Sequence, residues 1–366
     1  MDSIKLVVSA GNHRRVNCPL SHDIPVEVIN TLSGETYCLA SEDGDVLPVQ
    51  MQRSEGTGKI SWILPKLEAG KEKLYVLREN RMTECGIDII RDNLKAVISI
   101  DKQPFLSYVY DASFAKPYIG PIFGSHNQRY TRLDFSIKEH PHQRSLWMGI
   151  GDINGLDFWN ETGEFGKQRQ QDIIFETGSV MGVLSTKIVW TDFYGKPVMN
   201  ETRKMTVYNM PSNGRYLDIE SIFTATHGKV VFGPTKEAGP LGIRVAETMN
   251  VSKGGTMVNS YGAVGEEECW GKKAVWCDYS GMADGYLTGI AVFDHPTNDG
   301  YPTHWHIRNY GLFAPNNFYF AGGRILEEGE SMSYRYRVFF HDGNAQDAKV
   351  AERYHDYITE PKVTFI

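Results

Sequence analysis

The sequence predicts an all-β protein, and three observations support this. Short runs rich in Val, Ile, Tyr and Phe recur along the chain between Gly, Pro, Asn and Asp turn residues. The 36 glycines and 16 prolines are spread rather than clustered, as expected where many tight turns join strands. Only residues 344–358 show the 3–4 spacing of apolar residues that is typical of a helix. We therefore expect sheets packed face to face, closed by one C-terminal helix.

The strand runs fall into two groups, which predict two domains. Over residues 1–85 the runs are short and rich in charges ("KLVVSAG", "IPVEVI", "TYCLAS", "KISWIL", "LYVLR"), as in a small β-sandwich. Over residues 86–366 they lengthen, beginning with "GIDIIRDNLKAVISI", a predicted hairpin that turns at Asp92-Asn93. Within residues 86–366, "YLTGIAVF" (286–293) is almost wholly apolar and predicts a strand buried on both faces. The second group is long enough to form a large two-layer β domain.

Composition narrows the function class. The net charge is −7 and no basic block stands out, which argues against binding to nucleic acid or anionic membrane. No apolar run reaches the length of a membrane span, and the N-terminal "MDSIKLVVSAGNHRR" lacks the apolar core of a secretory signal. Five cysteines without a C-x-x-C pair fit reduced thiols. We expect a cytoplasmic protein whose partner is a small molecule.

Two short stretches, "HPHQR" (140–144) and "HWHIR" (304–308), share the pattern His-x-His-x-Arg. If each is extended, its alternate side chains point to one face of a sheet. Each face would then hold two imidazoles and one guanidinium: His140, His142 and Arg144 in the first stretch, and His304, His306 and Arg308 in the second.

These residue types allow three interpretations. Four imidazoles suit Zn, Mn or Fe, although Pro141 fits only an edge strand or an irregular segment and the arginines oppose a cation. Alternatively, histidine hydrogen-bonds hydroxyls, arginine grips a carboxylate and tryptophan stacks on a sugar ring. The tryptophans near the two stretches are Trp147, Trp159 and Trp305. In the third interpretation the histidines only anchor loops to a β core.

Three further segments hold polar candidates. In "GPTKEAGPLGIRV" (233–245), Glu237 lies in a loop between Gly-Pro turns and is a candidate general base. In "GDINGLDFWNETG" (151–163), Asp157 is a candidate substrate ligand. In "GEEECWGKKAVWCDYSG" (265–281), the charge run predicts a solvated turn, and Trp270, Trp276 and Asp278 could equally line a pocket. No motif of a serine hydrolase, a nucleotide-binding loop or a zincin occurs.

Several long strings resemble the PmoA-like family of unknown function. They are "HPHQRSLWMGIGDINGLDFW", "TKEAGPLGIRVAE", "WGKKAVWCDYSG", "GIAVFDHPTNDGYPTHWHIRNYGLF" and "YRYRVFFHDG", and the resemblance covers residues 95–358. It implies a β-supersandwich related to galactose mutarotase and similar carbohydrate enzymes. The methane monooxygenase subunit in the family's name is a membrane protein, so we set that name aside. Gln143 stands where a third histidine is frequent in the family, which removes one metal ligand.

Together these features predict a carbohydrate-active enzyme that acts on a glycoside or sugar derivative by acid–base chemistry. His142 and His306 would donate or accept protons, Glu237 would be the opposing base, and the arginines and tryptophans would bind the sugar. Hydrolysis, elimination and epimerisation all fit such a pair. The alternatives are a sugar-binding protein without turnover, and a metal-dependent lyase or oxygenase that holds Zn or Mn on the four histidines.

Overall fold

The computed structural model describes residues 4–24, 28, 32, 34–54, 57–80, 86–133 and 139–366. Strands account for 54% of the chain and helices for 6%, so the all-β prediction is confirmed. No helix in these ranges is long and apolar enough to cross a membrane. Three large sheets make up the fold.

The first sheet contains the N-terminal strands and the last strand of the chain. Its members are β1 (Lys5–Ser9), β2 (Arg15–Ile24), β3 (Tyr37–Ala40), β4 (Val46–Ser54), β5 (Thr57–Leu67), β6 (Glu72–Glu79) and β25 (Lys362–Phe365). Their order is β2-β5-β4-β3-β6-β1-β25. The sheet has its own apolar cluster, which includes Leu6, Leu39 and Trp62. The predicted domain boundary near residue 85 lies outside the described residues.

The second sheet has eight strands. They are β7 (Ile87–Arg91), β8 (Lys95–Ile100), β9 (Gln103–Val109), β10 (Tyr118–Ile122), β11 (Leu146–Ile150), β17 (Ala238–Arg244), β21 (His304–Ile307) and β22 (Leu312–Asn316). Their order is β21-β22-β17-β11-β10-β9-β8-β7. The predicted hairpin at Asp92 is confirmed, because the Asp92 carboxylate accepts the amide hydrogens of Leu94 and Lys95 between β7 and β8.

The third sheet also has eight strands. They are β12 (Lys167–Glu176), β13 (Met181–Thr191), β14 (Pro197–Tyr208), β15 (Gly214–Thr224), β18 (Thr256–Asn259), β19 (Trp276–Ala283), β20 (Tyr286–Asp294) and β24 (Ser331–Asp342). Their order is β12-β13-β14-β15-β24-β20-β19-β18. As predicted, most of β20 is buried. A two-stranded pair, β16 (Val230–Phe232) and β23 (Arg324–Leu326), completes the set.

The second and third sheets pack face to face around one apolar core, which is the two-layer architecture that the sequence predicts. Strand register decides which side chains enter this core. Leu146 of β11 pairs with Ile243, Ile243 with Phe313, and Phe313 with Ile307. All four side chains belong to the core. Because strand residues alternate between faces, their neighbours along each strand lie on the outer face of the second sheet.

Helical structure is sparse. A short helix, α1 (Gly265–Cys269), lies in a segment for which we predicted a turn, and 3-10 turns cover Glu247–Met249 and Val251–Lys253. The predicted C-terminal helix is present as α2 (Val350–Ile358), but it begins six residues later than Asn344. The Asn344 side chain accepts the amide hydrogens of Gln346 and Asp347, which closes a separate turn. Lys349 then adopts a left-handed φ of 55°, so the helix starts after it.

Candidate functional site

The second histidine stretch is extended, as predicted. His304–Ile307 is the edge strand β21 of the second sheet, paired with β22. His304 and His306 lie on the outer face, whereas Trp305 is fully buried in the core and its Nε1 donates to the Ala274 carbonyl at 2.9 Å. The expectation that Trp305 stacks on a ligand beside the histidines is therefore wrong, because strand alternation turns it inward.

The first stretch is a turn rather than a strand, so its predicted shared face is not formed. The Gln143 amide donates to the His140 carbonyl at 3.0 Å, which places Pro141 at the second position of a β-turn. His140 and Ser145 have positive φ angles of 49° and 55°. Proline fixes its own φ and lacks an N–H for a strand ladder. The segment therefore turns before it enters β11.

The charges of the first stretch are paired within the protein. Arg144 donates two hydrogen bonds of 2.6 Å to the Glu161 carboxylate, and the buried Lys116 donates to Glu161 at 2.8 Å and to the Trp159 carbonyl at 2.9 Å. Burial raises the pKa of Glu161, but the Arg144 hydrogen bonds and the Lys116 charge outweigh it and lower the pKa to about 2. Arg144 therefore holds a carboxylate of the protein itself.

His142 is a buried, neutral imidazole in this setting. Burial, reinforced by the Lys116 charge, lowers its pKa to about 3. Its Nε2 atom has no hydrogen-bond partner among the described residues. A buried polar atom without a partner costs free energy unless water or a ligand satisfies it, so Nε2 is a position where a hydroxyl group would be stabilised.

His306 resembles His142 in its electrostatics. Burial and then the Arg308 charge lower its pKa to about 4, while the nearby Lys236 backbone acts in the opposite direction. Its Nδ1 atom also lacks a partner within the described part of the chain. Arg308, at the end of β21, lies 3.1 Å from a Glu266 oxygen. The two histidines are thus both neutral near pH 7, and each has one buried ring nitrogen without a partner among the described residues.

Tyr310 connects the two stretches. Its ring stacks on His140, with centroids 5.0 Å apart and 10° between planes, and the Arg308 guanidinium lies 5.7 Å from the same ring. The Arg244 guanidinium packs over the Tyr310 ring at 4.6 Å. Strands β11 and β21 are three strand spacings apart, which is about 14 Å. The stretches therefore border one surface on the outer face of the second sheet.

The side chains of Trp147 and Trp159 pack directly beneath this surface. They are each 1% exposed and meet edge to face at 5.1 Å. Gly242 lies beneath them, where a Cβ atom would come within 2.6 Å of Trp147 and 2.9 Å of Trp159. The Asp157 carboxylate accepts the amide hydrogen of Trp159 at 2.7 Å, so it shapes this turn. Trp147, Asp157 and Trp159, which we predicted to bind substrate, therefore pack beneath the surface and offer a sugar no open ring face.

Glu237 lies at the start of β17, beside the second stretch. Its side chain is 27% exposed and 3.6 Å from the Lys236 amine, and its carbonyl accepts the Gly151 amide hydrogen. The first stretch joins the sheet at the other end of β17, beside Arg244. His142 and Glu237, which we predicted as opposing acid and base, therefore lie at opposite ends of the β11–β17 pair. His306 is the histidine closer to Glu237, because its pKa responds to the adjoining Lys236.

Two exposed aromatic residues beside His304, Tyr319 and Phe320, were not predicted from the sequence, whereas Trp270 was predicted as a possible pocket residue but does not line the cavity of Trp276 and Asp278. Tyr319 and Phe320 are each 42% exposed, and their rings lie 6.5 and 6.0 Å from Trp270. Phe320 also stacks on His304 at 4.3 Å. We call Trp270, Tyr319 and Phe320 the aromatic ledge. Its signal in the sequence is "NNFYFAGG", an aromatic run between turn formers, but only the fold brings it next to β21.

The four-histidine metal site is not assembled. The described residues contain no group of three or more His, Cys, Asp or Glu side chains arranged to hold a metal ion. His140 stacks on Tyr310 and His304 on Phe320. Two of the four imidazoles are therefore engaged in ring contacts at opposite borders of the surface.

Trp276 and Asp278 line a cavity, one of the two alternatives open from the sequence. This cavity lies on the third sheet, between β18, β19 and the segment leading into α2. The Asp278 carboxylate accepts hydrogen bonds from Ser280 and lies 2.7 Å from His341 Nε2. These residues belong to the third sheet and contribute nothing to the surface bordered by the two histidine stretches.

Comparison with known proteins identifies the family. The model of a family of unknown function, DUF6807, matches residues 95–355, and the chain belongs to this family. The narrower PmoA-like label stays a prediction. No curated protein matches the sequence significantly. Among solved structures, the chain is similar to the GH36 α-galactosidase AgaA from Geobacillus stearothermophilus, with 10% identity and a TM-score of 0.36. The match covers 70% of this chain and 41% of that one.

Proposed function

We propose that this member of the DUF6807 family is a carbohydrate-active enzyme that removes a proton next to a carbonyl group of a sugar derivative. The reaction would take place on the outer face of the second sheet, at Glu237 and His306. One observation carries the proposal: His306 is a buried neutral imidazole with an unpartnered Nδ1, next to the loop that presents a partly exposed carboxylate.

The surroundings of His306 suit a polyhydroxylated ligand. The unpartnered His306 Nδ1 matches a hydroxyl group, which donates a hydrogen bond to an imidazole nitrogen. The exposed rings of Tyr319 and Phe320 offer flat apolar faces of the kind that sugar rings pack against. The Lys236 amine, 58% exposed, adds a positive charge that suits an acidic or enolate-like oxygen.

The low pKa values favour proton abstraction over hydrolysis. Glycoside hydrolysis needs a group that donates a proton to the leaving oxygen. His142 and His306, with pKa values of about 3 and 4, are deprotonated near pH 7 and supply no such proton. Proton abstraction needs no such acid, because a carboxylate acts as the base and a nearby cation stabilises the enolate oxygen.

The step proceeds as follows. The Glu237 carboxylate takes the proton from the carbon beside the carbonyl, and the C–H electron pair moves to form the enolate. The negative charge collects on the carbonyl oxygen, where the Lys236 ammonium next to Glu237 stabilises it, and His306 Nδ1 accepts a hydrogen bond from a substrate hydroxyl that orients the sugar. Delivery of a proton from a water molecule to the opposite face of the carbon gives the epimer, and Glu237 passes the first proton to solvent. Departure of a leaving group from the next carbon gives an unsaturated sugar. Both outcomes proceed through the same enolate, which Glu237 generates.

Proton NMR in D₂O tests this proposal. The panel consists of 3-keto-glycosides, uronides, free ketoses and free aldoses, incubated with wild type, Glu237→Gln and His306→Gln. We expect the signal of the proton beside a carbonyl to disappear with wild type, to persist with Glu237→Gln and to fade at least tenfold more slowly with His306→Gln. Glu327→Gln removes an exposed carboxylate that pairs with Lys229 and is the matched control, expected to behave as wild type.

The outcome also separates turnover from binding alone. If ring-proton signals broaden with a sugar but none exchanges or disappears, the protein binds sugar without turning it over and the enzymatic proposal is wrong. If new reducing-end signals appear instead, the reaction is hydrolysis, and the proposal that the neutral histidines disfavour hydrolysis is wrong.

A further inference from the structure

We infer that the aromatic ledge (Trp270, Tyr319 and Phe320) binds a second ring, so that the substrate is a glycoside of at least two rings rather than a free monosaccharide. This inference rests on the proposed function, because it assumes that the first ring lies at His306. It assigns the ledge to the part of the substrate that does not react.

The three ledge rings form one exposed group. Tyr319 and Phe320 meet edge to face at 4.9 Å, and Trp270 meets each of them edge to face as well. Tyr319 and Phe320 lie on the turn that follows β22, and Trp270 directly follows α1. Large aromatic side chains bury 150–250 Å² each when covered, so two adjacent rings left about two-fifths exposed leave a sizeable apolar area in contact with solvent.

The ledge continues directly into the reaction centre. His304 and His306 are two residues apart on the same face of β21, a separation of about 7 Å. His304 stacks on Phe320 with centroids 4.3 Å apart. A ring at His306 would therefore have the His304–Phe320 stack as its next neighbour along the edge strand, at a spacing comparable with one pyranose unit.

The Asn316 side chain hydrogen-bonds both the ledge and the loop that carries Glu237. Asn316 Nδ2 donates to the Lys236 carbonyl at 3.1 Å, and its Oδ1 accepts the Tyr319 amide hydrogen at 2.9 Å. Both the residue before Glu237 and the first ring of the ledge are thus tied to the same point on β22. A ligand that spans both would meet a pre-formed surface, which lowers the ordering cost of binding.

Trp270 gives a direct reading of ledge occupancy. Of the seven tryptophans, it is the one that is not buried. The other six are Trp62, Trp147, Trp159, Trp190, Trp276 and Trp305. Quenching of tryptophan fluorescence by acrylamide therefore reports mainly on Trp270, and a ring seated on the ledge should protect it.

The experiment measures acrylamide quenching with paired probes. Methyl β-glucoside and cellobiose form one pair, and methyl α-glucoside and maltose form the other. We expect one disaccharide to reduce quenching at concentrations at least tenfold below its matching methyl glycoside. Phe320→Ala should weaken that protection about tenfold, in line with the loss of one stacking contact. Tyr194→Ala, which removes a ring that is 77% exposed on the loop between β13 and β14, should leave it unchanged.

Failure of this inference is distinct from failure of the proposed function. If disaccharides and methyl glycosides protect equally, or if Phe320→Ala and Tyr194→Ala behave alike, the ledge is not a subsite, whatever the NMR panel gives. If a disaccharide protects Trp270 and Phe320→Ala abolishes this, the ledge assignment stands even when no proton exchange is detected.

Discussion

The ring of Tyr310 lies parallel to that of His140, at 10° and with 5.0 Å between centroids. Tyr310 is also within 5.7 Å of the Arg308 guanidinium. The Tyr310 ring thus contacts one residue of each histidine stretch. The two stretches are 164 residues apart in sequence, the strand order β21-β22-β17-β11 places them on one sheet, and Tyr310 contacts both. Tyr310 therefore links the two histidine stretches at the candidate site.

Replacement of Tyr310 should lower the free energy of unfolding, because it removes the contacts between the two stretches. Tyr310→Ala removes the stack on His140 and the contacts with Arg244 and Arg308, so we expect the free energy of unfolding to fall by about 2 kcal/mol. Tyr310→Phe keeps the ring and should recover most of the loss. Urea denaturation of both variants measures this difference. Equal destabilisation by Phe and Ala would assign the effect to the hydroxyl instead of the ring.

The fold was largely predictable because strand and turn signals are local. The hairpin at Asp92, the buried strand β20 and the outward face of His304 and His306 all follow from alternation and turn chemistry within a few residues. The first stretch was mispredicted although its own Pro141 contained the answer. Proline at the second position of a β-turn is a stronger local signal than the repeat of the His-x-His-x-Arg pattern.

The composition of the site was less predictable, because it depends on contacts between distant residues. Nothing near Arg144 in the sequence shows that Glu161 will take both of its hydrogen bonds. Nothing near His304 indicates that Phe320 will stack on it. The tryptophans were assigned by residue type alone, and the sheet then buried Trp147 and Trp305 on its two opposite faces. Side-chain burial of this kind is decided by tertiary packing.

Removal of the Glu161 charge should be costly. Lys116 and Arg144 both depend on this carboxylate, and burial already lowers the pKa of Lys116. Glu161→Gln leaves two cations without their counter-charge, so we expect a loss of about 3 kcal/mol in the free energy of unfolding. Glu164→Gln, three residues away, removes only an exposed hydrogen bond from Tyr194 and should change stability little. Comparable losses in the two variants would contradict the buried-pair assignment.

Acid should destabilise the fold through His142 and His306. Their folded-state pKa values of about 3 and 4 lie below the ordinary value of 6.5, so the unfolded chain binds protons first as the pH falls. Stability is therefore complete above pH 6.5 and is lost as the pH falls, down to about 4 for His306 and about 3 for His142, by about 1.4 kcal/mol per pH unit for each histidine. Chemical denaturation from pH 7.5 to 4.5 measures this slope.

A variant pair identifies the source of the acid slope. His142→Gln keeps a polar side chain but cannot gain a proton in this range, so the dependence on pH should become shallower by the share of one group. His227→Gln removes an exposed histidine that contacts Asn200 and should leave the slope as it is. An unchanged slope in His142→Gln would mean that other buried groups dominate acid unfolding.

Asn316 is expected to act as a positioning residue for both halves of the surface. Asn316→Ala removes the hydrogen bonds to the Lys236 carbonyl and from the Tyr319 amide, each worth about 1 kcal/mol. Asn316→Asp keeps an acceptor for Tyr319 but sets a carboxylate oxygen against the Lys236 carbonyl, so only the loop of Glu237 should shift. On a substrate that wild type turns over, Asn316→Asp should therefore lower kcat while Trp270 remains protected by disaccharide, and Asn316→Ala should lose both. If Asn316→Asp weakens protection of Trp270 as much as Asn316→Ala does, the ledge and the loop are not held independently by the two ends of this amide.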